Sequence, residues 1–326
     1  MTKFIGRLVD LGIGRETSRG AGVAPSYWLP KVGFTFDDKQ IKARSIAGVG
    51  KISDSEEAFV TTKYGEGDVE GEVRVQSFGL LLYALLGDCS TSGPSDSAYT
   101  HSFTIDQSNQ HQSLAFVVKD PNATEIYKLV MLNSLEMAVE LDSVVSFTAN
   151  FMSKKGNAYT PPSVSYSNEY KFTKKHLQLK VASNIAGLSG ASALSVKSLR
   201  LSFSKNVVLD DSLGTAEPED ILNQQLSVEG ELTLNYEDET WKNYAKDGTN
   251  RAMEVFFNNT DATIGGGSTN PSLKFQFPKV DFYDWTPNYA LDEIVTQTVS
   301  FKANRDVEND QDIVYLCELV NGVTSY

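Results

Sequence analysis

Residues Asp68–Gln76 read DVEGEVRVQ, and their alternation decides the fold class. Val69, Val73 and Val75 fall on one side of an extended chain, and Asp68, Glu70, Glu72, Arg74 and Gln76 on the other. A period of two is that of a strand with one buried face. Leu226–Glu237 (LSVEGELTLNYE) has the same period, with Val228, Leu232, Leu234 and Tyr236 alternating with Glu229, Glu231, Thr233 and Asn235. Further strands are expected at Leu114–Lys119, Leu135–Phe151, His176–Val181, Val196–Lys205, Leu273–Phe277 and Val295–Ala303. Asp120-Pro121-Asn122, Pro161-Pro162 and Gly265-Gly266-Gly267 punctuate them as turns. Helices are few. Phe78–Leu86 (FGLLLYALL) is apolar almost all round and reads as a buried helix, with Ser77 as its N-cap and Gly87 at its left-handed end. Glu239–Lys246, closed by Asp247-Gly248, is the second.

The pattern occurs twice. Val145–Asn150 (VSFTAN) and Val299–Asn304 (VSFKAN) agree at five of six positions, 154 residues apart. Gly71-Glu72 and Gly230-Glu231 sit inside matching acidic strands at an offset of 159. Ser113-Leu114 and Ser272-Leu273 share that offset of 159. In both halves a short helix follows the Gly-Glu strand. The expectation is a tandem duplication, with residues 1–162 holding an N-terminal arm and a first domain and 163–326 a second. The stretch Tyr159–Ser165 (YTPPSVS) would be the linker.

Composition narrows the function. The 326 residues carry 29 Lys+Arg against 42 Asp+Glu, a net charge of −13. Gripping nucleic acid needs a surplus of cations, so a DNA-binding role is excluded, though not a role beside DNA. Two cysteines, Cys89 and Cys317, make no disulfide framework. The opening residues hold no secretory apolar run, and no window has the length of a membrane helix.

Chemistry is sparse. His101 and His111 lie in a polar stretch (YTHSFTIDQSNQHQ) without partners at ligand spacing, and read as solvated loop residues. Asp306–Asp312 (DVENDQD) lacks the central Gly and terminal Glu of a calcium loop and reads as an acidic turn. Gly87–Gly93 (GDCSTSG) has no nucleophile-elbow spacing. No catalytic, cofactor-binding or metal-binding residues are assigned, and no enzyme activity is expected.

The acidic strand faces stand apart. Glu70 and Glu72 match Glu229 and Glu231, while Glu136, Glu140 and Asp142 extend the pattern on the long strand of the first half. The corresponding stretch of the second half is read as Thr296, Thr298, Ser300 and Lys302. These residues suit either an ordinary solvated sheet face or the lining of a water-filled space.

The ordered motifs resemble the tail tube, or major tail, proteins of long-tailed bacteriophages. Gly12-Ile13-Gly14-Arg15-Glu16-Thr17 followed by Arg19–Pro25 is similar to the family's N-terminal arm, although Ala21-Gly22 stands where Gly-Thr is usual. The acidic Gly-Glu strand, the helix ending Leu85-Leu86-Gly87, then Tyr99-Thr100-His101-Ser102-Phe103 and Leu132-Asn133-Ser134-Leu135 follow in the family's order. The resemblance covers Gly12–Gly156, and the second half joins through the repeat. It implies a mostly β chain of two tandem β-sandwich or barrel tube domains, each with one short flanking helix. It also implies a siphophage virion protein, made in the bacterial host cytoplasm, whose rings stack into a tube. Two fused domains imply homotrimeric, pseudo-hexameric rings. The implied partners are further copies of the chain, a tape measure protein, and tail terminator and tail tip proteins. Genomic DNA would pass through unbound during ejection. No cofactor and no membrane insertion are implied.

On this reading Glu70, Glu72, Glu136, Glu140, Asp142, Glu229 and Glu231 are candidates to face the lumen. Repulsion of phosphates by such a wall would let DNA slide. Tyr27, Trp28 and Pro30 are candidates for an inter-subunit arm, and the loop Lys154–Asn168 for bridging rings. Two other readings are open to the sequence: another virion part (a terminator, decoration protein or baseplate ring), and a β-rich carbohydrate-binding module or enzyme. The second needs a paired carboxylate cleft with aromatic platforms, and the neighbours of Trp241 and Trp285 supply no such pair. The charge is uneven: residues 1–163 carry −4 and residues 164–326 carry −9.

Overall fold

The alternating segments form antiparallel strands throughout a computed structural model that describes residues 3–326. The first half supplies β1 (Asp10–Arg15), β2 (Tyr27–Leu29), β3 (Lys31–Phe34), β4 (Asp37–Ser45), β5 (Glu57–Glu72), helix α1 (Phe78–Leu86), β6 (Gly87–Ser95), β7 (Ala98–Ile105), β8 (Leu114–Lys119), β9 (Thr124–Val139), β10 (Ser146–Lys154) and β11 (Asn157–Ala158). The second supplies β12 (Leu177–Ala182), β13 (Val196–Ser204), β14 (Val208–Asp210), β15 (Asp220–Leu222), β16 (Ser227–Asn235), helix α2 (Thr240–Asp247), β17 (Arg251–Asn258), β18 (Ser272–Asn288), β19 (Thr296–Asn304) and β20 (Leu316–Asn321).

One pairing order recurs. Strands β3, β5, β10 and β9 lie side by side in that order, and β13, β16, β19 and β18 do the same. Outside them, β1 pairs with β8 and β8 with β9, as β12 pairs with β17 and β17 with β18. The two four-stranded groups are joined where β9 pairs with β13, Leu199 opposite Val139 through Ser204 opposite Ser134. The result is one eight-stranded sheet: β3-β5-β10-β9-β13-β16-β19-β18.

Its buried face is set by the alternation. Gly71, Phe147, Met137, Leu201, Gly230, Phe301 and Phe282 form one row across seven strands. Beside it run Val69, Ala149, Leu135, Phe203, Val228, Ala303 and Val280, all buried. The shared Gly-Glu motif has its physical cause in the first row. A Cβ on Gly71 would lie 2.9 Å from the Phe147 ring, and one on Gly230 would collide with the Phe301 ring. The aromatic ring of the facing strand uses the space a side chain would fill, as in aromatic rescue of strand glycines.

The two long strands leave this sheet and enter an outer layer. In β9 the turning point is Leu129, which has φ +53, a left-handed conformation that costs a leucine energy. Its amide donates to Glu16 Oε1 at 3.1 Å. Glu16 is buried and also accepts from Gly20 N, Gly22 N and Ser113 Oγ, at 2.7, 3.0 and 2.7 Å. One carboxylate thus ties the N-terminal segment to the bend.

All nine residues of α1 are buried, as its continuous apolar run requires. The turn that leads into it is held from elsewhere: Ser77 has helical φ and makes no side-chain cap, and Glu169 Oε2 accepts from Gln76 N at 2.9 Å and Ser77 N at 2.6 Å. The expected Ser77 cap is therefore corrected. Gly87 closes the helix at φ +96, where only glycine is unstrained. Helix α2 follows β16 as α1 follows β5, but it is amphipathic and buries Trp241 alone.

Two further expectations are corrected. Leu135–Phe151 is not one strand, because Glu140–Val145 turns the chain between β9 and β10. Ser113-Leu114 and Ser272-Leu273 are not counterparts: Leu114 opens β8, whose topological equivalent is β17, while Ser272-Leu273 opens β18.

Candidate functional site

The opposite face of the eight-stranded sheet is predominantly polar. Directly paired residues across it are Gly33, Glu70, Thr148, Glu136, Ser202, Glu229, Lys302 and Asp281, one per strand. The next row is Glu72, Ser146, Ala138, Arg200, Glu231, Ser300 and Asp284. Adjacent strands stand ~4.8 Å apart, so acids on alternate strands recur about every 10 Å along the first row. The fold thus brings five of the expected residues, Glu70, Glu72, Glu136, Glu229 and Glu231, onto one surface.

Few cations interrupt it. Lys302 Nζ lies 2.8 Å from Glu229 Oε1, and Arg200 Nε lies 3.5 Å from Glu136 Oε1. Both pairs are solvent-exposed, which limits their strength. Glu72 is held differently. Burial pushes its carboxyl up, but Lys171 at 2.9 Å and Arg74 at 2.8 Å outweigh that and bring it below its ordinary value. Glu72 is therefore an ionised anchor for the segment carrying Lys171, as well as part of the face.

Glu140 and Asp142 lie beyond the sheet, in the β9–β10 turn, with Asp142 paired to Lys174. The second-half counterpart of Glu136 is also corrected. Thr296–Lys302 belong to β19, the equivalent of β10, so Asp281 on β18 takes the place of Glu136. Reading along the chain missed Asp281 and Asp284, because a β-bulge between Phe282 and Asp284 breaks the alternation.

The arm residues are drawn inward. Trp28 is buried against Val117 and Ile126, with Tyr159 and Val164 packed alongside, while Tyr27 and Pro30 are half-buried. An exposed aromatic arm is thus corrected for Trp28, whose ring is intramolecular core.

The histidines are likewise not solvated. His101 is fully buried between Thr91 Oγ1 at 2.9 Å and Asn321 Oδ1 at 3.0 Å. His111 is buried at the C-terminus of α1, its Nδ1 3.3 Å from Leu85 O. Burial, with Lys205 adjacent, pushes the His111 imidazole below its usual value. The residue missed altogether is Lys205. Its Nζ, buried, donates to Ala84 O at 2.7 Å, and Asp106 N donates to Leu86 O at 2.7 Å. Cationic donors suit the negative end of a helix. Lys205 leaves β13, so a second-half side chain caps the first-half helix. Arg19 repeats the link, its Nη2 2.5 Å from Asp220 Oδ1.

Among the described residues no three His, Cys, Asp or Glu side chains converge as a metal site, and no helix is long and apolar enough to cross a membrane. Cys89, its thiol pushed up to about 11 by burial, and buried Cys317 are free. The described residues form instead a broad sheet with one acidic face.

The family model for phage tail tube proteins matches residues 6–303. The chain therefore belongs to the phage tail tube protein family, and is a β-rich structural protein of the phage tail. A search of curated proteins finds no match.

Proposed function

We propose that this chain assembles into rings that stack into the tail tube, with the acidic face of the eight-stranded sheet turned to the lumen. The two halves are read as copies of one tube domain, so three chains would close a pseudo-hexameric ring. The observation that carries this is the predominantly polar face that runs from β3 to β18. It places Glu70, Glu136, Glu229 and Asp281 in one row while the other face is the core. Joining such sheets end to end satisfies the edge strands, which otherwise invite uncontrolled pairing.

The lumen would then act by repulsion. At physiological salt the screening length is about 8 Å. The carboxylates therefore act on phosphates close to the wall, which is where DNA would otherwise adhere. With few cations to neutralise phosphate there is little counterion release and hence little binding. Genome DNA would pass as cargo, and the tape measure, terminator and tip proteins would be the tube's partners. Electron microscopy of the purified protein at high concentration tests the assembly: stacked rings are expected, and a monodisperse monomer would contradict it.

A further inference from the structure

A pocket of about 440 Å³ lies where three connections of the second half meet. They are the link from α2 to β17, the turn Ile185–Gly190 after β12, and the turn 306–311 after β19. Gly248 ends α2 at φ +61, and Thr249 N donates to Tyr244 O at 3.1 Å, so β17 starts with Arg251 close beside the helix. The Arg251 guanidinium lies over the Tyr244 ring, 4.6 Å from its centroid. Stacking on a ring face holds a guanidinium in place while its edge keeps its N–H donors available.

Those donors have no partner within the chain. Three arginines, Arg19, Arg74 and Arg251, bury an Nε that makes no hydrogen bond. The first two are tied through their other nitrogens, to Asp220 and Glu72. Among the described residues Arg251 makes neither a hydrogen bond nor an ion pair. Lys279 lines the same pocket and is also without an ion pair among the described residues. Asn184 and Gln311 add side-chain amides to the lining. Asn184 Oδ1 accepts from Gly187 N at 3.0 Å, which leaves its amide N–H groups over. The acceptors, by contrast, are largely spent. Asp306 Oδ1 accepts from Glu308 N at 3.2 Å and Asn309 N at 3.4 Å, and its Oδ2 from Asn309 Nδ2 at 2.7 Å. Glu308 stands exposed at the rim. The pocket therefore offers more donors than acceptors, in a chain whose net charge is −13.

We propose that this pocket binds a small oxyanion, the phosphate or carboxylate group of a small molecule, on Arg251 with Lys279 as the second cation. The planar fork of Arg251 presents paired N–H groups to two oxygens, and Lys279 adds a point charge. The volume falls within the range of about 300–1,000 Å³ usual for small-molecule sites. A polar lining of donors selects a charged ligand over an apolar one. The proposal does not depend on the ring reading.

NMR of the full-length chain with isotope-labelled arginine tests it at the atom concerned. The Nε–H signal of Arg251 is assigned by its loss in Arg251→Lys. Inorganic phosphate and acetate are titrated separately at matched ionic strength, which distinguishes the two groups. A saturable shift of that signal with either one is expected, and no shift with both would overturn the proposal. Calorimetric titration with the anion that binds measures the variants, after thermal melting has shown each to be folded. Arg251→Lys keeps the charge and loses the fork, so affinity should fall at least about tenfold, the loss of one charge-assisted hydrogen bond. Lys279→Gln should weaken binding, and Lys302→Gln, on the acidic face, should leave it unchanged. An equal fall in Lys302→Gln, or none in Arg251→Lys, would overturn the assignment to this pocket.

Discussion

The Phe147 ring covers Gly71, the residue directly opposite it on β5, and Phe301 covers Gly230 in the same way on β16. This pairing sits on the core side of the sheet whose other side carries Glu70 and Glu229. It fixes the register on which the acidic rows depend, since a slip of one residue would turn every carboxylate inward.

Gly71→Val and Gly230→Val should therefore each destabilise the fold by about 1–3 kcal/mol through overpacking. Phe147→Ala should cost about 3–5 kcal/mol by leaving a cavity. Combined with Phe147→Ala, Gly71→Val should cost less than the sum of the two, because the valine then occupies the vacated space. Chemical denaturation of the four proteins measures the coupling, and strict additivity would contradict the packing account.

Glu169 holds the turn that leads into α1 from 92 residues away. Replacing it with Gln keeps its size but weakens the acceptor. A loss of about 1 kcal/mol is expected, and about 2 kcal/mol for Glu169→Ala. Denaturation midpoints of the two variants give the comparison.

Lys205 makes stability depend on pH in a defined direction. Burial, with Arg19 nearby, pushes its ammonium down to about 7, against 10.5 when unperturbed. Between those values the unfolded chain holds the proton more tightly than the folded one, so stability rises with pH. Unfolding followed from pH 7 to pH 9 should show that rise. Lys205→Met should flatten it while costing the Ala84 carbonyl its donor. An unchanged slope in the variant would show that another group titrates.

The parts legible in the sequence were those governed by local periodicity. The acidic faces of β5 and β16, the apolar helix α1 and the repeated VSF-x-AN strand all followed from spacing alone. What escaped depends on distant partners. The polar setting of His101 and His111 concealed that Asn321 and the end of α1 would bury them. Lys205 reads along the chain as a strand end, because its acceptor lies 121 residues away. Asp281 lies beside a bulge that hides the alternation, and Ser113-Leu114 and Ser272-Leu273 share an offset although they open strands that are not equivalent. Glu16 is legible in the sequence only as part of a motif; its four donors come together only where β9 bends.

The acidic face is the centre of the account, and genome ejection from phage carrying Glu70→Lys, Glu136→Lys and Glu229→Lys tests it most directly. Glu72 is left intact because it anchors Lys171 and Arg74. Tails of normal length with markedly slower DNA release are predicted, with the delay shrinking as salt is raised. Release at the parental rate from tails shown to contain the three lysines would contradict the assignment of this face to the lumen.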